Sequence, residues 1–338
     1  MTLKQITDPR TKKTIKFGRK RSPRGAMKLH FRDFLLKSVP TPPPSVDYSV
    51  QASAILSDVF LNDQLGDCVI AGGYHIEGQA TANAGDPFRA TSAQITADYS
   101  AIGGYVPGDP STDNGCNLQD AMNYWMSKGF ANGTKLLGWL AIDPTNKAEL
   151  MLALYLFENL YFGIELPDTW ITPFPSGDGF VWDVGTPDPQ NGHCVEGDGY
   201  NAQGVQIDSW GLEGTLTWAA IAQLCTTNAG GEVYVMLTPD IMAKAQTKAP
   251  SGVAWTDIIA AFDQMGGTVP VPVAPPAPVQ PPAPAPSPTP APAPVGVTLA
   301  QAQQWAVAGL LKAPHLMNRA IATSAVSQSL AKNWPKSE

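Results

Sequence analysis

Residues 56–73 read LSDVFLNDQLGDCVIAGG. The turn-forming pair Gly66-Asp67 closes an irregular stretch, and an apolar run with helical spacing begins directly behind it, which predicts a helix over 68–82 with Cys68 at its N-terminus. Unsatisfied N–H groups give that end a partial positive charge. The charge favours thiolate over thiol, so the position predicts a lowered pKa and a nucleophile at neutral pH. A cysteine is otherwise most often a small buried hydrophobe, and Cys68 becomes chemically meaningful only beside a base.

Four histidines are available: His30, His75, His193 and His315. His30 lies in a basic N-terminal arm and His315 in a C-terminal tail. His75 is two turns along the helix that Cys68 opens, too far to reach the sulfur. His193 remains, at the start of the strand-like stretch HCVEGDGY, and 15 residues later comes Asp208 within IDSWG (207–211). Two antiparallel strands turning near Asn201 would bring Asp208 back beside His193, where a carboxylate fixes the imidazole tautomer. Glu196 and Asp198 alternate with His193 onto the opposite face, which reads as a solvated face or as a polar, cation-selecting edge to a cleft.

Around these residues the pattern changes character along the chain. Residues 68–82, 91–100, 117–128 and 146–158 have helical spacing, whereas 160–166, 193–200, 204–209 and 232–237 read as short strands. Helices first and strands second predict an α+β protein of two facing halves, a helical N-terminal lobe and an antiparallel β C-terminal lobe.

At these blocks the chain resembles the papain-like cysteine peptidase family, particularly its bacterial and viral branch. The carrying segments are PPSVDYS (43–49) with LSDVFLNDQLGDCVIAGG, then DNGCNLQDAMNYWMSKG (113–129), NGHCVEGDGYN (191–201), VQIDSWG (205–211) and GEVYVML (231–237). They span about three fifths of the chain in the family's order. The resemblance implies a two-lobed fold and peptide-bond hydrolysis on a polypeptide substrate without metal or cofactor. Cys68 matches the nucleophile, His193 the general base and acid, and Trp210 the aromatic that shields the histidine's hydrogen bond. Asp208 stands where the family has the orienting Asn. Asn62 stands in place of the oxyanion Gln and is one methylene shorter; losing such a donor typically costs about 10²- to 10³-fold in rate. A catalytically weak or inactive binding protein with this fold, and an acyl transferase using the same acyl-enzyme, are the alternatives. Cys116 matches a position that secreted members bridge to a cysteine three residues before the nucleophile, but Leu65 stands there.

Charge is divided unevenly. Residues 1–37 hold 12 of the 22 Lys and Arg against Asp8 and Asp33, an arm near +10 on a remainder near −17. Residues 1–42 read as this arm: a propeptide, a solvated or core-docked extension, or, through residues 12–24, a contact for an anionic surface or nucleic acid. A catalytic domain follows over 43–239 and a helical extension over 240–267. A Pro/Ala-rich spacer covers 268–297, with 13 of the 32 prolines between Pro270 and Pro294. Residues 298–338 read as a helical module that would bind a protein or surface partner. No apolar run is long enough for a transmembrane helix, and the charged N-terminus is not that of a Sec signal peptide. Four cysteines without a CxxC pair fit a reduced protein, and cytoplasmic or virion-associated placement is the expectation.

Overall fold

The computed structural model describes residues 3–23, 29–248 and 252–264; the expected spacer and C-terminal module lie outside them. The chain opens with a hairpin of β1 (Gln5–Thr7) and β2 (Thr14–Lys16), followed by β3 (Val46–Asp47) and a single turn, α1 (Ser53–Leu56). Helices α2 (Cys68–Ala84), α3 (Ser92–Gly103) and α4 (Leu118–Ser127) form the helical half. Then come β4 (Gly138–Ala141), α5 (Lys147–Phe157), β5 (Leu160–Glu165), α6 (Asp168–Ile171), β6 (Phe180–Trp182), β7 (Gly192–Tyr200), β8 (Gly204–Ser209) and β9 (Leu212–Thr217). The described chain closes with α7 (Trp218–Leu224), β10 (Glu232–Leu237), α8 (Pro239–Lys248) and α9 (Trp255–Gln264).

The expected α+β architecture is present. One sheet runs in the order β4-β10-β5-β7-β8-β9-β6, with β3 pairing β7. Its pairs are antiparallel except β6 with β9. The local reasons are legible: Thr91 with Gln94 makes a capping box for α3, and Asn117 and Asn146 accept from backbone N–H groups to cap α4 and α5. Helix α2 is buried nearly all round, as a helix inserted between layers must be. On its side of the sheet, Ile70, Tyr74, Trp125, Tyr161 and Cys194 share one core. On the other side Leu154, Phe157, Phe162, Val195 and Ile207 share a second.

The basic arm is docked on the acidic core, one of the arrangements expected for it. Lys4 pairs with Asp168 at 2.8 Å and Asp188 at 3.0 Å, and Lys16 with Asp113 at 2.6 Å. Lys13 pairs with Asp63, and Arg21 reaches Glu165 through Nη2 at 2.7 Å. Past the hairpin, Phe17–Arg21 runs as an added extended segment between Cys116 and Gly192. Cys116 N–H donates to Gly18 O at 3.0 Å, Lys20 N–H to Cys116 O at 2.8 Å, and Arg19 N–H to Gly192 O at 3.0 Å. The approach demands glycine at position 18, where a Cβ would lie 1.7 Å from Gly66 O.

The acidic face of β7 differs from the sequence expectation. Glu196 and Asp208 face each other in register, and Glu196, Asp198 and Asp208 are 0%, 1% and 5% exposed. That face is buried rather than solvated: Glu196 and Asp208 border a small cavity against α2, and Asp198 and Asp208 border a second cavity of about 190 Å³ with Ser49, Ser53, Ser57 and Glu213. Both oxygens of Glu196 and of Asp198 lack partners. Burial, and then neighbouring carboxylates, push all three pKa values well above the carboxylate range, so the groups are held as neutral acids. Acids raised in this way contribute stability below the unfolded pKa of about 4, and that stability drains as pH rises through the folded values. Glu196→Gln, a neutral isostere, should therefore raise the thermal midpoint by about 3 °C or more at pH 8 and much less at pH 4; equal shifts at the two pH values would contradict the neutral-acid assignment.

Candidate active site

Helix α2 starts where the sequence places it, and Cys68 occupies its first position, 2% exposed. The loop before it is wound tightly, with Phe60 and Leu61 both in the left-handed region at φ 44° and 67°. Such strain in bulky residues persists only where packing enforces it. Phe60 lies against the His75 ring with centroids 4.7 Å apart. Asp67, the residue before the helix, is fully buried and kept above the carboxylate range by desolvation. Its Oδ1 accepts from the Asn62 amide at 3.2 Å, and the same amide donates to Leu65 O at 3.2 Å. Asn62 therefore lines the site but spends its donors on the loop.

His193 stands at the second position of β7, opposite Ile164 of β5. Its Nε2 is 3.0 Å from Ser209 Oγ, and its Nδ1 is buried without a partner. Trp210 stacks on the ring at 4.3 Å with an 18° interplanar angle, and Phe17 of the arm meets both rings edge-on. The position of Trp210 follows from the β8–β9 connection. Ser209 pairs with Leu212, and the two residues between, Trp210 and Gly211, have φ 54° and 68°. A two-residue turn with both φ positive matches the twist of the flanking strands, and its first residue projects over the end of β7.

Asp208 does not take the expected place. The β7–β8 hairpin forms as the sequence implies, but pairing with Glu196 turns the Asp208 side chain to the α2 side, 3.8 Å from His75 Nδ1. His193 lies three residues along β7 from Glu196, so alternation sets it on the other face. Ser209, the next residue of the same block, meets the ring instead. His75, set aside for its distance along the helix, also borders the site. Its Nε2 is 2.8 Å from Asp58 O, and a carbonyl only accepts, so Nε2 carries the proton. Burial lowers the pKa of His75 to about 4 and that of His193 to about 3, leaving both neutral.

The five residues named from sequence, Asn62, Cys68, His193, Asp208 and Trp210, line one cavity of about 20 Å³, together with His75 and Ser209. That volume admits about one water molecule. The arm meets the site through Phe17, which touches the His193 and Trp210 rings, and through Gly18 beside the sulfur. Backbone N–H groups of Cys194 and Gly18 point at the sulfur and favour the thiolate, but desolvation outweighs them and pushes Cys68 up to about 12. The thiolate expected from the helix N-terminus is thus absent while the arm is seated, because burial costs a charge more than two donors and a helix end return. All four cysteines are free and buried. Beside the arm a groove of about 1040 Å³ is bordered by Lys4, Lys20, Arg21, Asn114, Glu165 and Gln190. No His, Cys, Asp or Glu grouping able to hold a metal ion occurs among the described residues.

No family model and no curated sequence matches the chain. Among solved structures, it is similar to xylellain, a cysteine protease from Xylella fastidiosa, at 14% identity and TM-score 0.49, covering 66% of this chain and 96% of that one. It is similar to procathepsin B S9 from Trypanosoma congolense at 9% identity and TM-score 0.46, covering 65% and 86%. A third likeness, at 14% identity and TM-score 0.41 over 58% and 99%, is to the Carica candamarcensis cysteine protease CMS1MS2.

Proposed function

We propose that the chain is a papain-like cysteine peptidase held latent by its own N-terminal arm. The observation that carries this reading is that Cys68, His193 and Trp210 meet at one cavity, while the arm, bonded through its backbone as an extended peptide would be, sets Phe17 against the His193 and Trp210 rings and the Gly18 N–H toward the sulfur. Departure of the arm restores water to the sulfur and removes the desolvation that holds the thiol neutral, leaving the helix N-terminus and the Cys194 N–H to favour thiolate. The free ring nitrogen, Nδ1 of His193, is the one available for the thiol proton, while Ser209 and Trp210 hold the opposite side of the ring. The thiolate then adds to a peptide carbonyl. His193 returns the proton to the leaving amine, and water, activated by the same ring, releases the acid from the thioester.

The Cys68 N–H, at the first helical position, is free to donate to the oxyanion, and Asn62 becomes a second donor if it releases Leu65 and Asp67. Asp208 enters this scheme as a neutral acid facing His75 rather than as the partner of His193. The engagement of Asn62 within its own loop favours a second reading, a peptide-binding protein of the same fold without turnover.

Gly18→Val, whose side chain cannot pass Gly66, should unseat the arm. Alkylation of Cys68 by a neutral thiol reagent at pH 6 should then accelerate by at least about tenfold, the factor that 1.4 kcal/mol of opening free energy represents, with Cys116 and Cys225 still slow; an unchanged Cys68 rate would overturn the latent-thiolate reading. In the same background, a quenched peptide library should be hydrolysed, and Cys68→Ala should abolish this. Labelling without hydrolysis would select the binding protein, and products trapped by an added amine would select acyl transfer. Ser209→Ala should lower kcat by about tenfold and Asp208→Asn by less than about threefold, since only Ser209 positions the base; the reverse order would return the orienting role to Asp208.

A further inference from the structure

Among the described cations of the arm, Arg19 is the one whose side chain is buried completely, at 1% side-chain exposure, and what surrounds it belongs to the core. Its Nη2 donates to Glu232 Oε1 and its Nη1 to Gly230 O at 2.6 Å. The second oxygen of Glu232 accepts from Tyr234 OH at 2.7 Å, and Tyr234 OH accepts from Gln119 at 2.7 Å, so a relay of neutral groups fixes the carboxylate's orientation. Glu232, Gly163 and Cys194 are neighbours across β10, β5 and β7. The middle position must lack a side chain, because a Cβ on Gly163 would lie 2.7 Å from Arg19 Nε and 2.9 Å from Nη2. A glycine in a central, fully buried strand weakens it. Here it opens the slot through which the guanidinium passes.

We propose that this slot is a specificity pocket, and that the chain selects polypeptides carrying arginine at the position Arg19 now fills. This rests on the reading of the cleft as the binding site of an extended peptide. The pocket's walls are supplied by β5, β7, β10 and the Gly230 carbonyl, none of which leaves when the arm leaves. A planar guanidinium reaches the carboxylate and the carbonyl together with separate N–H groups, which a lysine ammonium cannot do in the same geometry. An apolar side chain would leave Glu232 buried and unpaired beside it. The Gly18 N–H points at the sulfur and the Arg19 N–H bonds Gly192 O, so the pocket receives the side chain one residue removed from the reacting centre.

The test uses the full chain bearing Arg19→Ala, which vacates the pocket, on the Gly18→Val background that unseats the arm, and dipeptidyl acyloxymethyl ketones with Arg, Lys or Leu one residue from the ketone. Each reacts as the Cys68 sulfur forms a thioether and the acyloxy group departs as a carboxylate. The arginine probe should label Cys68 at least about tenfold faster than the leucine probe, with lysine between them, and Glu232→Gln in the same chain should bring the ratio close to one. Equal rates for arginine and leucine in Arg19→Ala would overturn the pocket. Absence of labelling by every probe would instead sink the nucleophile, and the pocket is then read by binding: n-propylguanidinium should raise the thermal midpoint of Arg19→Ala and leave that of Arg19→Ala with Glu232→Gln unmoved. No rise in either would refute the assignment independently of catalysis.

Discussion

Everything at the cleft depends on how closely helix α2 lies against the sheet. At Gly72, one turn beyond Cys68, a Cβ would sit 3.0 Å from the Tyr161 ring and 3.5 Å from Cys194 Sγ. Tyr161 OH in turn donates to Val69 O, tying the first turn of the helix to β5. This contact fixes the sulfur at the edge of β7, where the ring of His193 arrives from the other face of the same strand. Strand β7 and its neighbour β8 carry Glu196, Asp198 and Asp208, all buried. The nearness of Cys68 to His193 and the burial of the carboxylates beside them therefore go together in one packing arrangement.

Desolvation is the common currency of the site. A helix N-terminus and backbone donors favour a thiolate, yet burial keeps the proton on sulfur and keeps both imidazoles neutral. The arm's own charges are treated differently. Most of its cations pair at partly exposed positions, where ion pairs contribute little and are screened by salt. Arg19 is enclosed with its carboxylate, and removing either partner leaves an uncompensated buried charge. The arm is thus held mainly by backbone bonds, one anchored guanidinium and the packing of Phe17, with the remaining ion pairs setting its register.

The sequence made the order of elements legible because those segments carry strong local signals. The helix after Gly66-Asp67 and the strands at 193–200, 204–209 and 232–237 lie within a residue or two of their expected limits. The cleft residues Cys68, His193 and Trp210 were legible through the same blocks. Strand β9 escaped notice because LEGTLT has weak alternation, and its pairing is dictated by the turn at Trp210-Gly211. The orientation of Asp208 was not legible either, since a single step in register decides which of Asp208 and Ser209 faces the ring. Nor did the basic run around Arg19 announce a seated strand. Its signal was the glycine at position 18 within the Phe-Gly-Arg triplet, whose meaning depends on Gly66, a partner 48 positions away in sequence.

Under the proposed reading, the seated arm is continuous with the domain it blocks, which gives it an advantage independent of its contacts. A segment joined by a short link competes with any visiting peptide at an effective concentration on the order of millimolar, so dilution of the protein does not loosen it. One chain break in the link between Arg21 and Val46 would end that advantage and turn the same segment into a separate ligand, free to diffuse away and diluted with every increase in volume. Such a break acts as a ratchet: opening the cleft would then depend on total concentration, and closing it again would require two molecules to meet.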